Sequence, residues 1–320
     1  MSHFEAWRLK KLPLLMPQSL SSMVNSISKP KPESLRVAAV QMICAPSIAE
    51  NLAKIQTAAG RAAKAGADVI LFPECATTSY SCDFGSLNAS ELRRGLRSVS
   101  KLAADLHVHL LIGTPIFSGK RCYNALAVFN RTGELIHVYA KCQLTEGDRR
   151  WFTPGSSLSL FVIDGIQATA IICHERRYPE LVRLPAMAGA RVVFHPNAGM
   201  DTLAVSRGKR GGRDGIVARA FENAVYYVFA NTVGPQGGGK WSAGDSKIVA
   251  PDTRILGLAD NSREAVIVRD LELAKATRKY ALDSLKHPRF LARRWPGILS
   301  AMRRGIVKSD RRFRKWFEVG

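Results

Sequence analysis

Glu74, Lys141 and Cys173 each close an apolar run of strand length: "DVILFPE", "ELIHVYAK" and "QATAIIC". Residues that end neighbouring strands on one edge of a sheet meet in space whatever their separation along the chain, and open α/β sheets place their chemistry at such edges. A thiol must lose its proton to become a nucleophile, and Glu74 can take it. Attack on a carbonyl or nitrile carbon then builds negative charge on the neighbouring atom. The Lys141 ammonium and the backbone N–H of His174 can stabilise that charge. Read singly, each residue also has an ordinary use: a solvated edge glutamate, an exposed strand-terminal lysine, a small buried hydrophobe.

The flanking pattern supplies elements to position these three. "LRVAAVQMI" is an apolar run of strand length, and "SIAENLAKIQTAAGRAAKAGA" is a helix whose Ser47 and Glu50 have capping-box spacing. After Glu74 a second helix begins, with Asn88 and Glu91 at the same spacing, followed by the strand "HLLIGTPIF". Hairpins come next: "YNALAVFN" and "ELIHVYAK" flank "RTG", and "LSLFVI" and "QATAIIC" flank "DG". Beyond Cys173, helix and strand alternate through "PELVRLPAMAGA", "RVVFHP", "GIVARAFENA" and "VYYVFAN", and "GPQGGGKWSAGD" reads as a Gly-rich loop. Hairpins mixed with α/β alternation call for helices outside sheets that pack on each other.

Composition bounds the class. With 46% hydrophobic and 23% charged residues, the 320-residue chain has the balance of a globular protein. Its 47 Lys and Arg against 26 Asp and Glu give +21, an excess that favours anionic partners and says nothing of the fold. The six cysteines (Cys44, Cys75, Cys82, Cys122, Cys142, Cys173) form no C-x-x-C pair. That spacing offers no zinc site, and their low density points to a reducing compartment, the cytoplasm by default. No apolar run reaches the roughly 18 residues of a spanning helix. Residues 1–34 are basic and serine-rich, with Glu5 and Glu33 their only acids. They read as a flexible extension that could also carry organelle targeting.

The segments "VAAVQM", "ILFPE", "YAK", "FTPG", "IICHERRYPE" and "RAFENAVYYVFAN" resemble, in order, the signature segments of the nitrilase superfamily, the carbon–nitrogen hydrolases. The resemblance spans 35–270 and implies an α/β fold of four layers, an α-β-β-α sandwich, assembled as a homodimer or larger homo-oligomer. It also implies a Glu–Lys–Cys mechanism through a thioester, with no metal and no organic cofactor, acting on a small amide, N-carbamoyl or nitrile substrate. A second glutamate, six residues before the proline of the Pro-Gly segment, accompanies the lysine in this family. Here that count falls on Asp148, with Glu146 two residues upstream, and either acid can fill the role. Arg177 matches the family's arginine four residues after the cysteine. The additional Arg176 makes "RRYPE" similar to the N-carbamoyl-amino-acid amidohydrolases, in which this region handles the substrate carboxylate. Guanidinium suits that task through paired hydrogen bonds. "FHPNAG" lies where the family lines its pocket, which makes His195 and Asn197 candidates for substrate contact. "SRGKRGGRDG" lacks the spacing of a phosphate loop and reads as a rim over the pocket.

Residues 271–320 form a basic helical extension, with fourteen Lys or Arg against three acids from Lys275 onward. Ile298, Met302, Ile306 and Val307 recur at helical spacing, and Phe313, Trp316 and Phe317 add an aromatic edge. Such a helix can lie on an anionic membrane surface. It can instead dock on the enzyme's own body or across a dimer interface. Nucleic acid is the weakest alternative, because no recognised module accompanies the charge.

Overall fold

Strand β1 (Ser34–Gln41) shows why the chain forms layers. Val37 and Ala39 point to one face and Ala38 and Val40 to the other, and all four are buried. A strand buried on both faces needs a partner layer on each side. The structure is a computed structural model, and it describes residues 33–208, 215–286 and 295–319. The expected N-terminal extension lies outside the described residues but for its last two positions, as does the 209–214 part of the expected rim loop.

One six-stranded sheet has the order β14 (Ala265–Glu272), β1, β2 (Val69–Leu71), β3 (His109–Ser118), β4 (Arg121–Phe129), β5 (Leu135–Ala140). The other runs β13 (Ile255–Leu258), β12 (Lys247–Val249), β9 (Tyr226–Asn231), β8 (Val192–Asn197), β7 (Ile166–Ala170), β6 (Phe161–Ile163). Each has a parallel centre, β1–β2–β3 in one and β7–β8–β9 in the other, extended by antiparallel neighbours. Val37, Leu71, Leu126 and Tyr139 of the first sheet share a core with Ile172, Phe194 and Val228 of the second. Helices α1 (Ile48–Lys64) and α2 (Ala89–Leu106) cover the first sheet's outer face. The second sheet's outer face lies under α3 (Glu180–Ala188), α5 (Ile216–Phe221) and α6 (Lys279–Asp283). The architecture is the α-β-β-α sandwich.

Local chemistry sets the boundaries. Ser47 accepts from Glu50 N, and Asn88 accepts from Ser90 N and Glu91 N, so both helices begin where the side chains satisfy unpaired amides. The β6–β7 turn places Asp164 and Gly165 at φ 46° and 80°, the left-handed pair that a tight two-residue hairpin requires. The Gly-rich stretch expected to be a loop instead pairs as a hairpin of β10 (Val233–Gly237) and β11 (Lys240–Ala243). Its glycines supply the turn rather than a flexible linker, with Gly237, Gly238 and Gly239 all at positive φ. Part of the expected rim is a short helix, α4 (Leu203–Gly208), tied to this hairpin by the Ser206 hydroxyl donating to the Trp241 carbonyl at 2.8 Å.

The C-terminal helix α7 (Trp295–Glu318) docks on the protein's own body. Phe313 is fully buried against Tyr123, Trp316 packs near Phe117 and Phe317 near Phe129. Met302 and Ile306 reach Ala188 and Leu158. Asp310 accepts from Val138 N and pairs with His137, both on β5. Met302, Ile306 and the aromatic edge are therefore occupied by the sandwich, whereas Ile298 and Val307 are exposed beside the basic residues. Arg303, Arg304, Lys308 and Arg311 remain on the exposed face. Among the described residues no helix is long and apolar enough to cross a membrane.

Candidate active site

Three strand ends deliver the expected residues to one place. Glu74 follows β2 and Lys141 follows β5 in one sheet, and Cys173 follows β7 in the other. Two glycines make the approach possible. A Cβ on Gly113 of β3 would sit 2.1 Å from the Pro73 carbonyl oxygen, and one on Gly155 would sit 2.1 Å from that of Ala140. The segments carrying Glu74 and Lys141 pass too close to these backbones for any side chain.

Glu74 and Lys141 are both 0% exposed, so neither is the solvated strand-end charge its type alone would suggest. The Lys141 ammonium lies 2.8 Å from Glu74 Oε1 and 2.8 Å from Asp148 Oδ2. Burial lowers its pKa, but the neighbouring charges, Glu74 first and then Asp148, outweigh that and hold it well above the usual lysine value. Glu74 is fixed by Asn124 Nδ2 at 2.7 Å on Oε1 and by Ala198 N at 2.9 Å on Oε2. Cys173 sits at φ 57°, a strained elbow between β7 and the 3-10 helix Cys173–Arg177. Burial first, and then the Glu74 carboxylate, push its thiol up to about 12, while Lys141 pulls the other way. The resting site therefore holds a protonated thiol and a charged lysine beside Glu74.

The structure separates the two candidate auxiliary acids. Asp148 is buried on Lys141, and its other contacts are Tyr80 Oη at 2.5 Å and Thr145 N at 2.9 Å. Burial raises its pKa, and Lys141 and these donors more than reverse that, leaving it below the ordinary aspartate value. Glu146, two residues earlier, is exposed. Asp148 opens a 3-10 turn, Asp148–Arg150, and is its buried residue.

A pocket of about 180 Å³ opens over Cys173, lined among others by His174, Arg176, Arg177, Asn197, Asn231 and Asp245. Arg177 is exposed at its rim and Arg176 half-buried. Asn197 donates to Asn231 Oδ1 at 2.8 Å, and Asn231 in turn donates to the Gly244 carbonyl, which can only accept. That chain fixes the amide's orientation and leaves Asn197 Oδ1 buried without a partner. The His174 ring also lines the pocket. Burial, then Lys141, lowers its pKa to about 4, so it is neutral at pH 7. His174 N lies in the first turn of the 3-10 helix, where backbone N–H groups lack intrahelical acceptors.

His195 departs from expectation. It is fully buried, with Nε2 2.8 Å from the Cys173 carbonyl and Nδ1 2.9 Å from Tyr227 Oη. Burial, then Arg176, holds its pKa well below the usual histidine value. In the neutral ring Nε2 must donate to the carbonyl and Nδ1 accept from the tyrosine. It braces the Cys173 backbone from behind and does not line the pocket.

Sequence reasoning missed Asn124, Tyr80 and Glu175. Asn124 lies mid-strand in β4, where nothing marks one asparagine from another. Tyr80 comes from a loop held by aromatic packing on Phe84 and Phe152. Glu175 looked like part of a solvated charge run, yet it is fully buried. Among the described residues no cluster of His, Cys, Asp and Glu could hold a metal ion.

Fold and site together are those of an enzyme of the nitrilase superfamily. The carbon-nitrogen hydrolase family matches residues 36–280, and the chain belongs to it. It is 31% identical over 226 residues to a probable nitrilase of Schizosaccharomyces pombe, covering 66% of this chain and 79% of that protein. It is 30% identical to a 2-oxoglutaramate amidase of Bacillus subtilis, over 63% of this chain and 77% of the relative. An omega-amidase of Danio rerio is 27% identical over 74% and 88% of the two chains. Among solved structures, a Nesterenkonia amidase in complex with butyramide superposes with a TM-score of 0.70 at 27% identity, covering 82% of this chain and all of that one. Another form of that amidase, with a TM-score of 0.70 at 26% identity over 82% and 97% of the chains, carries the acetamide moiety of fluoroacetamide on its active-site cysteine. The protein is a hydrolase of carbon–nitrogen bonds.

Proposed function

We propose that the protein hydrolyses the terminal amide or N-carbamoyl group of a small, carboxylate-bearing substrate through a thioester on Cys173. The observation that carries this reading is the fully buried Lys141 ammonium held between Glu74 and Asp148, beside a thiol on a strained elbow. Glu74 takes the thiol proton as sulfur attacks the acyl carbon. The oxyanion so formed is held by Lys141 and the His174 N–H. On collapse the C–N bond breaks, and Glu74 passes its proton to the departing nitrogen, which leaves as ammonia. Glu74 then removes a proton from water, whose oxygen attacks the thioester carbon. Collapse of that second intermediate releases the acid and returns the proton to sulfur. Asp148 keeps Lys141 charged and in place throughout. Arg176 and Arg177 at the pocket offer guanidinium donors to the substrate carboxylate, and Asn197 Oδ1 an acceptor to its nitrogen.

The test is ammonia release across ω-amides, N-carbamoyl amino acids, neutral amides and nitriles, with mass spectrometry of the trapped enzyme. An acyl adduct on the Cys173 peptide, and no turnover by Cys173→Ala, are the expected results. Turnover by a folded Cys173→Ala variant would overturn the reading, whereas a nitrile as the best substrate would keep the triad and change the substrate.

A further inference from the structure

Lys141 and Cys173 belong to different sheets, so their separation depends on how two stacked layers are registered. Apolar packing across a core is non-directional and does not by itself fix that register to the fraction of an ångström that chemistry needs. A directional tie is present in Glu175. Its Oε1 accepts from Cys142 N at 2.8 Å and from Gln143 N at 2.9 Å, the two residues that follow Lys141. Its Oε2 accepts from Ile172 N at 2.7 Å, the residue before Cys173. Tyr139 Oη, two residues before Lys141, reaches both oxygens at 3.0 and 2.9 Å. One carboxylate thus holds the chain on both sides of Lys141 and immediately ahead of the nucleophile. It touches no reacting group.

We infer that Glu175 is a positioning residue that sets the Lys141–Cys173 geometry by bridging the two sheets. The inference rests on the proposed triad. Every partner of the carboxylate is a donor, so only an acceptor at both oxygens satisfies them. Hydrogen bonds to an ionised acceptor are also the stronger kind. Glutamine has nearly the same shape, yet its NH₂ must face either Ile172 N–H or the two amides after Lys141. One side of the bridge is then lost. A misplacement of about 1 Å away from the chemistry can cost on the order of 10²-fold in rate.

The experiment compares the parent with Glu175→Gln, Tyr139→Phe and Cys173→Ala. Reactive sites are counted by labelling to completion with fluoroacetamide and mass analysis of the Cys173 peptide. Turnover of the best amide substrate is then expressed per labelled thiol, with KM measured alongside. Glu175→Gln is expected to lose about 10²-fold in kcat per labelled thiol with KM within threefold. Tyr139→Phe keeps the carboxylate and is expected to lose less, about fivefold, in the same parameter. A purely structural glutamate would lower the melting temperature and the number of labelled sites and leave kcat per site alone. That result, with kcat per site within threefold of the parent, overturns the inference. Should Glu175→Gln be insoluble, Tyr139→Phe decides by the same criterion. An active Cys173→Ala would instead sink the triad reading, which keeps the two failures apart.

Discussion

Replacing Lys141 by methionine keeps the volume of the side chain and removes its charge, leaving Glu74 and Asp148 facing each other in a buried site. Each carboxylate lies 2.8 Å from the same nitrogen in the parent, so the two are close neighbours without it. Two like charges about 5 Å apart repel by roughly 3 kcal/mol at an effective dielectric of about 20. A like charge that close disfavours the ionised form, so one of the two carboxyls keeps its proton to higher pH than an isolated carboxyl would. With the desolvated charges unpaired, the expected loss of stability at neutral pH is about 3–5 kcal/mol. At this chain length that corresponds to a fall in melting temperature of about 5–7 °C. The sign with pH follows from linkage. The folded variant holds a proton that the unfolded chain releases in the ordinary carboxylate range, so its deficit develops as pH rises through and above that range. In the parent, Asp148 is depressed and contributes in the opposite sense, its stabilisation fading as pH falls. The difference in melting temperature between parent and variant should therefore narrow on going from pH 7.5 to pH 4.5. Adding Asp148→Asn to the variant removes the repulsion and should restore most of the lost stability, with activity still absent. Scanning fluorimetry at the two pH values and an ammonia assay suffice. A deficit that does not change with pH, or a double variant no more stable than the single one, would refute the electrostatic account of the site.

Asp148→Asn alone should lower kcat by at least about 10²-fold, while exposed Glu146→Gln stays within twofold of the parent; kinetics on both assigns the auxiliary acid. Arg177→Ala should raise KM for a carboxylate-bearing amide about tenfold and for a neutral amide less than twofold, since a hydrogen bond to a charged group contributes about 1.5–3 kcal/mol. Equal effects on both substrates would leave Arg177 outside recognition. Phe313→Ala should cost about 3–5 kcal/mol by opening a cavity between α7 and Tyr123. A melting temperature within 2 °C of the parent (less than about 1 kcal/mol) would mean that α7 is not part of the folded core.

What the sequence by itself determined are features set by local periodicity and by the ends of apolar runs. The strands before Glu74, Lys141 and Cys173, the caps at Ser47 and Asn88 and the Asp164–Gly165 turn all depend on a few adjacent residues, and each is where it was read. The family segments located the same three residues independently. Other features depend on groups far apart in the chain, and these only the tertiary structure decided. Asp148 and Glu146 differ by two places in a loop with no period, and Tyr80, 68 residues away, helps hold the first of them inward. His195 lies on a strand buried on both faces, so alternation could not say whether it faces the pocket or the Cys173 carbonyl. Glu175 has the look of a solvated charge in "CHERR", but four donors from two sheets converge on it, and an ionised acceptor there satisfies groups that burial would otherwise leave unpaired. The apolar stripe of α7 was legible as a stripe because helical spacing is local. What it covers was not, because hydrophobic burial specifies that surface leaves water and not which surface it meets.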